Sequence, residues 1–302
     1  MRHALEPAFE RLGEDAKPEH ILALKVCDPA MGSGAFLVEA SRQLAARLVK
    51  AWAQWPALRP KIPPDEDEDL HARRLVAQRC LYGVDKNPMA TDLAKLSLWL
   101  ATLARDHEFE FVDHALKTGD SLVGLTNAQI AAANWDESKP GLPLFQKLVK
   151  DEITKALAAR AEIRGAPDDV HRMIQEVRHQ NLEKRLDPIR AMGDATIAAF
   201  FTESKPRARE LARQKVESLF TASLHPNWDE IRMIAGTLRQ GDHPVRPFHW
   251  QLEFPEVFDD KNPGFDAVVG NPPFLGGVKI SNLLGMQYFA YLTPESVTSG
   301  FG

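Results

Sequence analysis

The stretch that most constrains the fold is Val26-Cys27-Asp28-Pro29-Ala30-Met31-Gly32-Ser33-Gly34-Ala35-Phe36-Leu37, where a short apolar run meets a glycine turn and then an amphipathic run. That succession reads as strand, turn and helix. Gly32 and Gly34 open backbone conformations closed to other residues and let a ligand come close to the main chain. The amides that follow them stand at a helix N-terminus. Taken alone, Gly-x-Gly suits a tight strand-to-helix turn as well as a ligand turn, because the dinucleotide fingerprint needs a third glycine in register and position 37 is Leu. Asp28, at the strand end and followed by Pro29, decides between them. A carboxylate there faces a cationic amino group rather than a pyrophosphate, and S-adenosylmethionine carries such a group.

A second strand is expected at Cys80-Leu81-Tyr82-Gly83-Val84-Asp85, with Asn87-Pro88 opening a helix whose apolar stripe is Leu93, Leu96, Leu100 and Leu103. An acidic residue ending the second strand of a nucleoside site accepts hydrogen bonds from the ribose hydroxyls, and Asp85 is the candidate. Its spacing from the glycines is longer than the usual twenty or so residues. The proline-broken residues 52–64 and the acid run at 65–69 account for the excess, the last carboxylates favouring the N-terminus of a helix through Leu70 to Gln78. A third strand is expected at Phe109-Glu110-Phe111-Val112, with Thr118-Gly119-Asp120-Ser121-Leu122 as the turn after it.

From Asn127 to about Gly241 the period is helical and strand signals are thin, which is far longer than an ordinary connection between strands. This region is expected to be a helical insertion, a solvated helical hairpin first and a contact to DNA phosphates second. The sheet returns at residues 265–269 and runs into Asn271-Pro272-Pro273-Phe274. Two prolines at a strand end leave no amides to donate, so their carbonyls stand exposed. The Asn271 side-chain oxygen and the Pro272 carbonyl can each accept one hydrogen of an exocyclic amine while Phe274 stacks on its ring.

Composition narrows the class. The 302 residues are 44% apolar and 26% charged, as in an ordinary globular protein. No basic-then-apolar leader or long apolar span occurs, so the chain is expected to be cytoplasmic and away from membranes. A formal charge of −5 argues against an unaided, salt-driven nucleic-acid binder without excluding a local basic groove. Cys27 and Cys80 read as small buried hydrophobes, and no metal site is expected.

In the order Asp28-Pro29-Ala30-Met31-Gly32-Ser33-Gly34-Ala35-Phe36, Gly83-Val84-Asp85-Lys86-Asn87-Pro88, Gly119-Asp120-Ser121-Leu122 and Gly270-Asn271-Pro272-Pro273-Phe274, the chain resembles adenine-specific DNA methyltransferases of gamma-type motif order. It is most similar to those of single-chain type IIG restriction-modification enzymes and to the PglX-type methyltransferases of BREX phage defence. Residues 248–258 also resemble a segment carried by that family. The resemblance implies an α/β fold with a Rossmann-like S-adenosylmethionine-dependent sheet of strand order 3-2-1-4, interrupted by the insertion. It implies a cofactor-binding core part at 1–126, the insertion at 127–244 and a catalytic core part at 245–302. Asp28, Gly32 and Gly34 would hold the methionine part of the cofactor, Asp85 the ribose and Asp120 the adenine amino group. Pro29, Ala30, Phe36, Lys86 and Ser121 belong to the same motifs. Asn271, Pro272, Pro273 and Phe274 would receive a flipped adenine of double-stranded DNA for N6 methylation.

Two departures from the family pattern stand out. The upstream Tyr-Thr-Pro-like motif is missing, and the chain stops at Gly302, before further strands and a target-recognition domain. The chain is therefore expected to be a fragment, inactive alone, with no nuclease activity of its own and with other restriction or defence subunits as partners. The same tetrapeptide chemistry serves methylation of ribosomal RNA bases and of glutamine amides in release factors, and a non-catalytic cofactor-binding remnant is a third alternative.

Overall fold

The computed structural model describes residues 2–62, 67–102, 112–165, 172–221, 226–259, 263–273 and 277–293. Helices α1 (Arg2–Leu12) and α2 (Pro18–Leu22) precede β1 (Val26–Asp28). Helices α3 (Ala35–Gln54) and α4 (Glu68–Arg79) lead to β2 (Leu81–Asp85), and α5 (Pro88–Ala101) leads to β3 (Leu116–Thr118). Six helices then intervene: α6 (Asn127–Ala132), α7 (Pro143–Arg164), α8 (Arg172–Thr202), α9 (Pro206–Thr221), α10 (Trp228–Thr237) and α11 (Trp250–Glu253). After them come β4 (Ala267–Val268), α12 (Gly277–Leu284) and α13 (Met286–Leu292). The described strands form one parallel sheet in the order β3-β2-β1-β4, a Rossmann-like methyltransferase arrangement. Val26 pairs with Leu81 on one side and Ala267 on the other, and Asp28 lies opposite Gly83. Among the described residues no helix is long and apolar enough to cross a membrane.

The chain divides into two compact units. The first comprises Met1–Gly119, Leu157–Leu182 and Glu256–Pro272, and the second Asp120–Ala156, Glu183–Pro255 and Pro273–Gly302.

In the first unit β1 and β2 are buried on both faces, as the inner strands of a parallel sheet require, with Val26, Cys27, Leu81, Tyr82 and Val84 all in the core, whereas Val268 of β4 is exposed. Helix α3 buries Leu37, Ala40, Leu44, Leu48 and Trp52, the face its spacing predicts. Helix α4 begins where Asp67 accepts the amides of Asp69 and Leu70, with Glu68 and Asp69 in its first turn, so the last carboxylates of the acid run do stand at a helix N-terminus. Helix α5 differs from expectation. Its buried residues are Thr91, Ala94 and Leu98, while Leu93, Leu96 and Leu100 are exposed, and Leu103 lies outside the described residues. The reason is the close approach of Gly34 to Ala94, which needs the small-residue face of α5 turned inward. Of the strand expected at 109–112, residues 109–111 lie outside the described residues, and the described third strand is Leu116–Thr118, directly before Gly119. Cys27 and Cys80 are buried free thiols, both pushed up by burial.

A buried polar cluster ties the first unit together. Arg160 on α7 binds Glu256 through Nε at 2.5 Å and Nη2 at 2.6 Å, and the Tyr82 hydroxyl donates to the same carboxylate at 3.0 Å. The Lys25 ammonium donates to the Glu256 carbonyl. Arg164 donates to the carbonyl of Arg79 at 2.6 Å, with its guanidinium 5.8 Å from the Tyr82 ring centre. Burial alone would raise the Glu256 pKa, but the charge and hydrogen bonds of Arg160, with Arg164 beyond, hold it at about 2.

The second unit corrects the expectation of a solvated hairpin. Helix α8 is 31 residues long and continues through Pro188, and every residue from 191 to 200 is buried. Pro188 forfeits one helical hydrogen bond at a cost of about 3 kcal/mol. Burial of Ile189, Met192, Ile197 and Phe200 beyond it offsets that cost. The second half of this helix is core, which a reading weighted toward its charged first half misses.

Removing the Glu256 carboxylate leaves a guanidinium buried without its counter-charge, so Glu256→Ala is expected to destabilise the protein by about 3–5 kcal/mol in urea unfolding. The sign of the pH effect follows from the depressed pKa. The contribution of Glu256 is complete above its ordinary value of 4.5 and is lost as pH falls from there toward 2. A variant with unchanged midpoint at pH 7 would contradict this role.

Candidate functional site

β1 carries Asp28 to the C-terminal edge of the sheet. The carboxylate is fully buried, its Oδ1 accepts the Ala30 amide at 3.0 Å, and its buried Oδ2 accepts no hydrogen bond from the described residues. Burial raises its pKa, the Ala30 amide lowers it and the charge of Asp85 raises it again, to about 6. A buried carboxylate oxygen without a donor is costly. A cationic or N–H-bearing ligand is the chemistry that relieves it.

The glycine turn assigns its two glycines different work. The Met31 amide donates to the Val84 carbonyl at 3.0 Å and the Gly34 amide to the Met31 carbonyl at 2.8 Å. Gly34, at φ 81°, precedes the first turn of α3, and a Cβ there would lie 3.0 Å from Ala94 Cβ. Gly34 therefore serves helix packing. Gly32, at φ 53°, has nothing within 4 Å of the place its Cβ would take, so it borders the open space beside the sheet edge.

Asp85 at the end of β2 accepts the Gly32 amide on Oδ2 and the Asn87 amide on Oδ1, both at 2.8 Å. Each oxygen retains a second lone pair, so capping the turn and accepting a ribose hydroxyl are compatible. Pro29 and Ala30 are half-buried beside it, Lys86 is exposed, and Phe36 is exposed on the first turn of α3.

The chain returns to Asp28 from β4. Val269 donates to the Cys27 carbonyl at 2.8 Å. Gly270 follows at φ 145°, where a Cβ would stand 2.7 Å from Asp28 Oδ1, and only glycine takes this backbone conformation without strain. Asn271, Pro272 and Pro273 are exposed immediately after it, and Phe274 lies outside the described residues. The first unit thus gathers Asp28, Gly32, Asp85 and the entry to the Asn-Pro-Pro turn at one sheet edge. Gly270 escapes the sequence reading as a site residue. The signal that could have found it is a glycine wedged between an apolar strand and a proline pair.

The second unit holds Asp120 and Ser121. Asp120 is buried, and its Oδ1 accepts the Tyr288 hydroxyl at 2.8 Å and the Leu122 amide at 3.2 Å. Its own amide donates to the Arg246 carbonyl at 2.7 Å, and the Ser121 carbonyl accepts Trp250 Nε1 at 2.9 Å. Tyr288 contacts Asp120 across 168 residues, a separation at which no local pattern gives a signal. His249, a tempting base by residue type, is buried. Its Nδ1 accepts the Leu125 amide at 3.0 Å, so Nε2 carries the proton and donates to Asp194 at 3.2 Å. Both ring nitrogens are used in holding the loop.

The donor set of the first unit fits a ligand with a cationic amino group and ribose hydroxyls. The orphaned Asp28 oxygen is the observation that bears on the fit, and S-adenosylmethionine has both groups.

A family model described as Eco57I restriction-modification methylase matches residues 79–298 of this chain. One described as the DNA-methyltransferase domain of MmeI matches residues 15–138. The chain is similar to a protein of Methanocaldococcus jannaschii named as a candidate type II restriction enzyme and methyltransferase. The two are 25% identical over 309 aligned positions, covering 88% of this chain and 24% of the relative. The chain spans about a quarter of the length of the curated relative it matches. No solved structure matches it.

The electrostatics of Asp28 give a test independent of any ligand. The folded-state pKa is raised, so between its ordinary value of 3.8 and about 6 the folded protein binds the proton more tightly. Stability from this group therefore falls as pH rises through 6. Asp28→Asn is expected to be more stable than the parent at pH 8, by on the order of 1–2 kcal/mol, with the gap closing toward pH 4. Thermal unfolding across that range measures it, and a gap that widened on acidification would have the wrong sign.

Proposed function

Because the chain belongs to the Eco57I restriction-modification methylase family, we propose that it is the methyl-transfer domain of a DNA methyltransferase in a restriction-modification system. The proposed reaction moves a methyl group from S-adenosylmethionine to N6 of an adenine flipped out of double-stranded DNA. The observation that carries this reading is the buried Asp28 carboxylate, whose Oδ2 finds no hydrogen-bond partner among the described residues while its Oδ1 lies against Gly270, the residue that leads into Asn271. The restriction-modification setting of the matches supports DNA over RNA or a protein amide as substrate, and supports that setting over BREX.

In this reading Asp28 orients the cofactor's amino group and the backbone at Gly32 lies alongside it. Asp85 accepts the ribose hydroxyls and Asp120 the adenine amino group. The cofactor supplies an electrophilic methyl group on a sulfonium. Asn271 and Pro272 accept the two hydrogens of the target amine, which turns its lone pair away from ring conjugation and toward the methyl. Pro272 and Pro273 have no amides, so no main-chain donor competes at that turn. Phe274 stacks on the flipped base. Amine attack on a sulfonium needs no prior deprotonation. The core parts 1–126 and 245–302 and the insertion 127–244 are the functional division we propose.

The test is transfer of labelled methyl to adenine-containing duplex DNA by the gene product that carries this chain, with label expected in N6-methyladenine. Label in cytosine, RNA or protein would overturn the assignment. In the same assay Asn271→Ala is expected to lose about 100-fold or more of the transfer rate with cofactor affinity nearly unchanged. Asp28→Ala is expected to weaken cofactor binding by roughly 1.5–3 kcal/mol in calorimetry. Equal loss of binding in both variants would point to a folding role for Asn271.

A further inference from the structure

Helix α13 is fastened to the loop that bears Asp120. Tyr288 donates to Asp120 Oδ1 at 2.8 Å, and one turn further on Tyr291 donates to the Gly124 carbonyl at 2.7 Å. Both rings rest on the end of α8. Phe201 lies 6.4 Å from the Tyr288 ring and 5.5 Å from that of Tyr291, and Phe200 meets Tyr291 edge-on at 5.3 Å. The same loop is held from its other side, where Asp120 donates to Arg246, Phe248 to Val123 and Leu125 to His249. Asp120 and Tyr288 are each 3% exposed. Burial and the charge of Asp120 both raise the Tyr288 pKa, so the phenol stays protonated and can only donate to the carboxylate while the pair is intact.

A carboxylate whose Oδ1 takes a phenol O–H and a main-chain amide has its plane fixed by them. That geometry decides which way its remaining acceptor directions point. We propose that Tyr288 is a positioning and specificity-determining residue for the cofactor's base, orienting Asp120 so that it accepts an exocyclic amino group and rejects a ring carbonyl at the same place. The inference rests on the reading that Asp120 meets the cofactor adenine. It adds that the selectivity of that contact is set from α13, the second helix after the Asn-Pro-Pro turn among the described residues.

The test compares binding of S-adenosylhomocysteine and S-inosylhomocysteine to this chain by calorimetry, the second compound replacing the 6-amino donor with a carbonyl. The parent protein is expected to prefer the adenine compound. Tyr288→Phe, which removes only the hydroxyl, is expected to shrink that preference by roughly 3- to 10-fold. Tyr291→Phe removes the neighbouring phenol contact and is expected to leave the ratio unchanged, whatever it does to thermal midpoint. A merely structural role for Tyr288 would weaken both compounds alike and leave the ratio intact, which overturns the inference. No preference in the parent protein would overturn the Asp120 reading itself, so the two failures are distinct. Should Tyr288→Phe not fold, Tyr288→Met, free of any donor and of similar bulk, carries the same comparison.

Discussion

Arg160 and Glu256 sit within 2.6 Å of one another, out of water, and separate parts of the first unit depend on that contact. Tyr82 brings β2 to it, Lys25 brings the lead into β1, and Glu256 itself lies in the turn that precedes β4. Two buried charges are tolerable only when the geometry is close and the remaining donors and acceptors are filled. Here the filling groups come from sheet and helix alike. The end of α7 is thereby part of the wall of the sheet, although in sequence it belongs to a region lying between strands.

Asp28 is the opposite kind of buried carboxylate. Glu256 is surrounded by cations and held near 2, whereas Asp28 has one amide, one empty oxygen and a neighbouring like charge, and rises to about 6. A fold has no use for the second arrangement, since a packed apolar residue would cost less. Its position at the end of the central strand, where β1 passes between β2 and β4, is where parallel α/β sheets bind ligands. The contrast separates a group that holds the structure from one that the structure holds ready.

The first two strands and the residues of the Asp28 turn were legible in the sequence because they are local: apolar runs of strand length, glycines at turns, carboxylates at strand ends; the strand order came from the family resemblance and from no local signal. The buried face of helix α3 followed from spacing, and the acidic start of α4 from the charge of its first turn. Four features resisted. The stripe of leucines on α5 pointed the wrong way because the inward face is chosen by how closely Gly34 approaches Ala94, a distance no periodicity encodes. The buried half of α8 was missed because the mixed charges of the region pointed to a solvated hairpin, whereas the helix continues through Pro188 into the core. Tyr288 and Gly270 matter through partners far away in sequence, Asp120 and Asp28, so their importance exists only once the chain is folded.

The two cysteines add a use of a different kind. Cys27 lies in β1 with neighbours on both sides, and Cys80 caps the end of α4, directly before β2, with its sulfur 3.6 Å from the carbonyls of Ile21 and Leu22. Burial keeps both as thiols, and the thiolate is the form that reacts with alkylating reagents. Neither can be modified until the elements packed over it part. Their alkylation rates are therefore two internal clocks for local opening, the Cys27 sulfur reporting from the central strand and the Cys80 sulfur from the packing of α2 on the end of α4.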